Sequence, residues 1–324
     1  MEREQRKTDD IRLSLIIPVF NESVTVRRFV NEVAQIFANQ KFLEIEFIFV
    51  NDGSSDNTLE ELLAIQQEEP RLNIVDFSRN FGKEAALTAG ICAAKGDIVV
   101  PIDVDLQDPP ALIFEMIAKW REGYDVVLAR RINRDSDSWV KRVTANLFYR
   151  THNKISHLNL PENVGDFRLM DRCAVEALKK LPESCRFMKG LFAWVGFNTT
   201  YVDYIRQERV AGTTKFNSWK LWNFALEGIT SFSTIPLRIW TYVGFIVFLF
   251  AVFYAGFLAI RLIIRGVDVP GYASLMVAIL LFGALQLIGI GVLGEYLGRI
   301  YTESKRRPIY IIRRTYPERE NHGR

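Results

Sequence analysis

The sequence predicts an α/β domain with a mostly parallel sheet, followed by two helices that cross a membrane as a hairpin. Three observations carry this prediction. Short β-rich runs alternate with helical stretches as far as Arg130. Acidic and polar clusters fall at the carboxyl ends of three of those runs, where parallel sheets bind their ligands. Further on, Ile239–Ile260 and Val269–Gly294 contain no charged residue.

The β-rich runs are Leu13–Pro18, Glu44–Asn51, Leu72–Ser78, Ile98–Ile102 and Asp125–Arg130. Their Val, Ile and Phe content suits strands covered on both faces. Helical patterns occupy Ser23–Phe37, Asn57–Gln67, Lys83–Ala94 and Pro110–Glu122. Asp56 or Asn57 caps the second of these, and Gly96 and Gly123 stand where helices hand over to strands.

Each uncharged stretch exceeds the roughly 20 residues a helix needs to cross about 30 Å of hydrocarbon. Trp240, Tyr242 and Tyr272 open the spans as interfacial aromatics do. Lys215, Lys220 and Arg238 precede the pair, and Arg299, Lys305, Arg306, Arg307, Arg313 and Arg314 follow it. The link between the spans carries only Arg261 and Arg265 against Asp268. This bias places the α/β domain and both termini on the cytoplasmic side of an inner membrane. Met1–Asp10 is charged and lacks the apolar core of a signal peptide. The expected organisation is a charged tail at 1–10, the cytoplasmic α/β domain at 11–212, and juxtamembrane amphipathic helices at 213–238. Two spans follow within 239–298 (about 239–261 and 270–296), then a basic cytoplasmic tail at 299–324. In the juxtamembrane part, Phe216, Trp219, Trp222, Leu226 and Ile229 recur at helical spacing, a stripe that suits the membrane interface and equally packing on the protein itself.

Composition excludes other classes. Of 324 residues, 49% are hydrophobic, too many for a disordered chain, and a net charge of +3 is too small to argue for nucleic acid. Three cysteines, Cys92, Cys173 and Cys185, form no CxxC pair, so neither a disulfide framework nor a zinc site is expected. Gly289–Gly294 satisfies GxGxxG but lies inside the second span, without the strand that a dinucleotide site requires. Small-residue helix packing explains it better, with Gly294 and Gly298 forming GxxxG.

The three strand-end clusters are Pro18-Val19-Phe20-Asn21-Glu22, Asn51-Asp52-Gly53-Ser54-Ser55-Asp56 and Asp103-Val104-Asp105-Leu106-Gln107-Asp108-Pro109-Pro110. The second alone reads equally as a turn and helix cap. In the third, Asp103 and Asp105 follow an apolar run, and alternate residues of an extended segment project to one side. Two carboxylates so placed repel unless a cation lies between them. Hard oxygen donors without His or Cys point to Mg²⁺ or Mn²⁺, completed by substrate phosphates and water.

In this order and spacing, the three clusters resemble glycosyltransferase family 2, the inverting nucleotide-sugar enzymes of GT-A fold, a Rossmann-like α/β architecture. The segments GDFRLM (Gly165–Met170), Arg209-x-x-Gly212-x-Thr214-Lys215-Phe216 and GEYLGRIY (Gly294–Tyr301) narrow the resemblance to polyprenyl-phosphate glycosyltransferases. These are the bactoprenol glucosyltransferase type, related to dolichyl-phosphate mannose synthases. The chain has no QxxRW segment of the processive synthases, which argues for one sugar per turnover.

The resemblance implies roles for individual residues. Pro18, Glu22, Asp52 and Asp103 match donor-nucleotide positions, and Asp103 and Asp105 match the metal motif. Asp166 matches the catalytic base, with Asp105, Gln107 and Asp108 beside the reacting sugar. A phosphate monoester is already mostly anionic at neutral pH, its second pKa being about 6, so Asp166 acts either as a base or as an orienter of the acceptor. An anionic acceptor beside an anionic donor requires cations, and Arg131, Arg134, Arg209 and Lys215 are placed to supply them. The implied reaction moves one hexose from a nucleotide sugar, UDP-glucose being favoured, to undecaprenyl or another polyprenyl phosphate. GDP-mannose, UDP-N-acetylglucosamine and an aminopentose donor stand as alternatives, and a nucleotide-binding scaffold or flippase component as a remote one. A homo-oligomer such as a tetramer is also implied.

Overall fold

The computed structural model describes residues 10–38, 40, 42–132, 161, 163–184, 186–205, 234–265 and 271–317. Within them the strands are β1 (Ile11–Val19), β2 (Leu43–Asn51), β3 (Leu72–Phe77), β4 (Ile98–Pro101), β5 (Val126–Arg131), β6 (Val164–Asp171), β7 (Thr199–Tyr204) and β8 (Ile312–Tyr316). The helices are α1 (Val26–Phe37), α2 (Thr58–Glu68), α3 (Lys83–Ala93), α4 (Leu112–Arg121), α5 (Arg172–Lys179), α6 (Met188–Trp194), α7 (Ile235–Arg265) and α8 (Tyr272–Ser304). The five expected strands and four expected helices of the first half are all present. Asp56, rather than Asn57, satisfies the start of α2: its Oδ1 accepts the Thr58 N–H at 3.1 Å.

One eight-stranded sheet has the order β7-β5-β6-β4-β1-β2-β3-β8. The pairs β1–β2, β1–β4, β2–β3 and β5–β7 are parallel, so six strands run one way and only β6 and β8 oppose them. Alternation along the strands divides the core between the two faces. Leu13, Leu15, Ile17, Phe47 and Phe49 pack with α1, α2 and α4, while Ile16, Ile48, Val50 and Val99 pack with α3 and α5. Phe49 is fully buried, its ring edge-on to Phe29 at 6.2 Å, so Phe49→Ala would cost about 3–5 kcal/mol. Gly96 is required where α3 hands over to β4: a Cβ there would lie 2.6 Å from the Arg12 carbonyl oxygen.

Inserting β6 between β4 and β5 sets the geometry of the site. The β4–β6 register pairs Ile98 with Asp171 and Val99 with Met170. That pairing brings β6, which carries Asp166, beside the segment that follows β4. Nothing local in the sequence announces that pairing.

Helices α7 and α8 are 31 and 33 residues long and contain the apolar windows Leu237–Tyr254 and Leu281–Ser304, neither of them buried at all. Both are long and apolar enough to cross a membrane. Gly289 of α8 lies against the Trp240 ring of α7, whereas a Cβ at Gly294 or Gly298 would meet nothing within 4 Å. The expected GxxxG contact is therefore not made within this chain. Of residues 299–324, read from sequence as a basic tail, the described part to residue 317 continues α8 to Ser304 and then returns to the sheet. There β8 pairs antiparallel with β3, Ile74 opposite Tyr316 and Val75 opposite Thr315. Tyr310 stacks on Phe77 at 5.0 Å and 12°. Arg313 donates to the Ser78 carbonyl at 2.9 Å and lies 3.6 Å from the buried carboxylate of Asp76.

Candidate active site

The loops after β1 and β2 are joined to each other. Asn21, in the left-handed region at φ 56°, donates its N–H to Ser54 Oγ at 3.0 Å and accepts the Ser55 N–H at 2.8 Å. Glu22 donates its N–H to Thr58 Oγ1 at 2.9 Å, and its carboxylate accepts from Thr25 Oγ1 at 2.9 Å. Pro18 stands level with Val50 in the β1–β2 register. The β2 loop in turn holds the segment after β3. Gly53 sits at φ 65° so close to Arg79 that a Cβ would be 2.3 Å from its carbonyl carbon. Asp52, 4% exposed, accepts the N–H groups of Phe81 at 2.7 Å and Gly82 at 3.0 Å. Burial raises its pKa, against the pull of those two N–H groups.

That anchoring delivers Lys83, the first residue of α3, to the middle of the site. Lys83 Nζ lies 2.8 Å from Asp103 Oδ1 and 2.8 Å from Asp166 Oδ2. Desolvation would lower the lysine pKa, but the two carboxylates outweigh it and hold the ammonium charged well above the usual lysine range. Burial likewise works to raise the Asp166 pKa. Lys83, Lys189 and Arg168 overcome it and hold Asp166 well below the usual carboxylate range. Arg168, 4% exposed, does not reach the Asp166 carboxylate with a hydrogen bond. It donates to the carbonyls of Gly165 at 2.7 Å and Asp166 at 3.4 Å, with its guanidinium 4.0 Å over the Phe192 ring. Burial pushes its pKa down to about 10. Glu84, next along α3, accepts the Met188 N–H at 3.1 Å, and burial pushes its carboxyl up to about 7.

A second group adjoins the first. Arg131, at the end of β5, donates from Nε to the Tyr204 hydroxyl at 3.1 Å, and that hydroxyl donates to the buried carboxylate of Asp108. Burial, with Asp108 adding to it, pushes the Tyr204 phenol up to about 12. Arg131 Nη2 lies so near Gly165 that a Cβ there would be 3.3 Å from it, which puts the guanidinium one residue from Asp166. Gln107, 8% exposed, donates its backbone N–H to Asp105 Oδ1 at 3.2 Å.

The structure thus brings Asp103 and Asp166 to one cation and sets Asp108 and Arg131 beside them. Strand β4 ends at Pro101, and Leu106 sits at φ 57°. Asp103 and Asp105 therefore lie in a turn, and strand alternation does not describe them. Arg134, Arg209 and Lys215 lie outside the described residues. Tyr204 and Glu84 were not singled out from sequence, and Lys83 and Arg168 stood only within the helical pattern Lys83–Ala94 and the GDFRLM segment, without a role. A signal existed for Lys83, since a cation in the first turn of a helix opposes the macrodipole and needs a local reason.

Among the described residues no three His, Cys, Asp or Glu side chains are grouped as a metal cage. The donors present are carboxylate oxygens, and a cation, the Lys83 ammonium, already lies against Asp103. This donor set fits a hard divalent ion that takes its other ligands from substrate.

Comparison with known proteins supports the same class. Residues 14–179 match glycosyl transferase family 2. The chain is 53% identical over 302 residues to an uncharacterized glycosyltransferase of Synechocystis sp., covering 93% of this chain and 95% of that one. It is 53% identical over 304 residues to the prophage bactoprenol glucosyl transferase homolog of Escherichia coli, covering 94% and 99%. It is 54% identical over 303 residues to the bactoprenol glucosyl transferase of Shigella phage SfV, covering 94% and 98%. With the mostly parallel sheet, the acidic strand ends and this likeness along nearly its whole length, the chain belongs to glycosyl transferase family 2.

Proposed function

We propose that the chain transfers a single hexose, glucose from UDP-glucose being the favoured donor, to a polyprenyl phosphate at the cytoplasmic face of a membrane. The observation that carries this reading is the convergence of Asp103 and Asp166 on one cation in a chain with two membrane-length helices. The names of its bactoprenol-acting relatives favour the same acceptor. On this reading residues 11–212, joined by β8, make up the cytoplasmic catalytic unit and the two spans within 239–298 hold it at the membrane, while the amphipathic stretch expected at 213–238 lies mostly outside the described residues.

An acceptor phosphate oxygen attacks the anomeric carbon, the bond to the nucleoside diphosphate breaks, and the configuration inverts. Asp103 and Asp105 would hold Mg²⁺ or Mn²⁺, which would supply positive charge to offset that of the departing diphosphate. Pro18, Glu22 and Asp52 frame the nucleotide, Asp52 chiefly by fixing the Phe81–Gly82 turn. Asp166, ionised in the resting site beside Lys83, acts either as a base for the acceptor or as its orienter by charge and hydrogen bonding. Arg131 binds acceptor phosphate, assisted by Arg134, Arg209 and Lys215. Gln107 and Asp108 border the sugar.

The test is nucleoside diphosphate release by detergent-purified protein given undecaprenyl phosphate and Mn²⁺ or Mg²⁺, across UDP-glucose, UDP-N-acetylglucosamine, UDP-galactose and GDP-mannose. Release from UDP-glucose that requires both lipid and metal is expected. Release from another donor alone would replace the sugar, and silence across the panel in folded protein would overturn the activity.

A further inference from the structure

Lys83 is unusual in three respects. It stands at the first position of α3, where the helix dipole disfavours a cation. Its ammonium contacts both Asp103, which follows β4, and Asp166 of β6, and among the described residues it is the group that joins them. The anchoring of its backbone also leaves little for an anion to bind nearby. The N–H groups of Phe81 and Gly82, which would otherwise face a ligand at this helix start, are taken by Asp52.

We propose that Lys83 is a phosphate-binding residue that rests between the two carboxylates. In the substrate-free chain its ammonium spans Asp103 and Asp166, and it passes to the diphosphate oxygens of the nucleotide sugar when a divalent cation takes its place at Asp103.

Charge balance favours the exchange. A divalent ion at Asp103 and an ammonium 2.8 Å from the same carboxylate repel each other, so arrival of the ion weakens the hold on Lys83. The arriving diphosphate supplies the anion that receives the displaced ammonium. The side chain is suited to the move. Its four-carbon stem carries a compact point charge, and at 44% exposure it can swing without displacing the backbone that Asp52 fixes. Asp166 meanwhile loses its partner at the moment acceptor and donor are both bound, leaving its carboxylate free to take a hydrogen bond from them. The resting bridge therefore also prevents two carboxylates from repelling one another while the site is empty.

This inference rests on the proposed use of a nucleotide sugar, and the experiment separates the two. Mn²⁺ binding to the full-length chain in detergent is followed by electron paramagnetic resonance, for wild type, Lys83→Met and Lys83→Arg, alone and with UDP or GDP. Without nucleotide, Lys83→Met should bind Mn²⁺ about tenfold more tightly, because the competing ammonium is gone. With Mn²⁺ saturating, the same variant should bind the nucleoside diphosphate about tenfold more weakly, and Lys83→Arg should restore most of that affinity. Unchanged or weaker Mn²⁺ binding by Lys83→Met overturns the resting bridge, and unchanged diphosphate binding overturns the transfer. Lys83→Arg keeps the charge and controls for folding. A wild-type chain that binds neither UDP nor GDP overturns the proposed activity, and the Mn²⁺ comparison without nucleotide still decides whether Lys83 competes for the carboxylates.

Discussion

Glu303 accepts the backbone N–H of Ser184 with both carboxylate oxygens, at 3.0 and 3.1 Å. Ser184 lies between α5 and α6, and Glu303 in the last turn of α8, so the end of an apolar helix is fastened to the loop that joins those two helices. Tyr310 on Phe77 and Arg313 beside Asp76 add a second fastening at β3. Tyr310→Ala should cost about 2 kcal/mol, less than a fully buried aromatic because Tyr310 is only partly covered. Arg313→Ala should cost about 1–3 kcal/mol, since it leaves the buried Asp76 carboxylate without a counter-charge. Denaturant midpoints of the detergent-solubilised protein measure both.

Asp52→Asn should lower stability by about 1–3 kcal/mol, because an amide nitrogen then faces N–H donors that a carboxylate satisfied. The Phe81–Gly82 turn would loosen and nucleotide affinity fall with it. Calorimetric titration with UDP, beside a melting curve, reads the two effects separately. Retained stability with retained affinity would contradict this assignment of the loop.

Glu84 makes a contribution to stability that depends on pH. With a folded pKa near 7 against an ordinary 4.5, the folded chain binds more protons than the unfolded chain between those values. The Glu84 contribution to unfolding free energy therefore falls as pH rises from about 4.5 to 7, and is level above that. Asp166 acts in the opposite direction at lower pH, so the difference between wild type and Glu84→Gln isolates the effect. Midpoints measured at pH 5, 6, 7 and 8 should show the variant gaining on wild type across this range. Parallel curves would refute the buried, neutral carboxyl.

Tyr204→Phe removes the hydroxyl that joins Arg131 to Asp108. The buried Asp108 carboxylate then loses one of its donors, at a cost of about 1–3 kcal/mol. Arg131 also becomes less constrained. KM for polyprenyl phosphate should rise about tenfold, with a smaller change in kcat, if Arg131 binds the acceptor. Initial rates at varied lipid concentration test this, and an unchanged KM would remove Arg131 from the acceptor site.

Elements with a strong local period were legible in the sequence. LSLIIP and EIEFIFVN are too apolar to be anything but buried strands, and the lengths of α7 and α8 follow from uncharged runs. Long-range pairing was not legible. GDFRLM alternates weakly, and its place beside β4 depends on a register contributed by residues about seventy positions away. Asp166 was reached from sequence only through family resemblance, and its partner Lys83 reads locally as a surface lysine. IRRTY looked like a charged tail because edge strands carry charge on the side that faces water. Strand alternation was the wrong reason for grouping Asp103 with Asp105, since the strand ends two residues before the first of them.

The position of β8 has a consequence for how the molecule is made. The outer edge of β3 receives its partner from residues that lie beyond both apolar helices in the chain. During synthesis that edge stays open until α7 and α8 have left the ribosome, although β1 to β7 are already complete. The last strand thus closes the sheet only after both long apolar helices have emerged. A chain stalled before that step would carry an uncapped strand able to pair with another molecule.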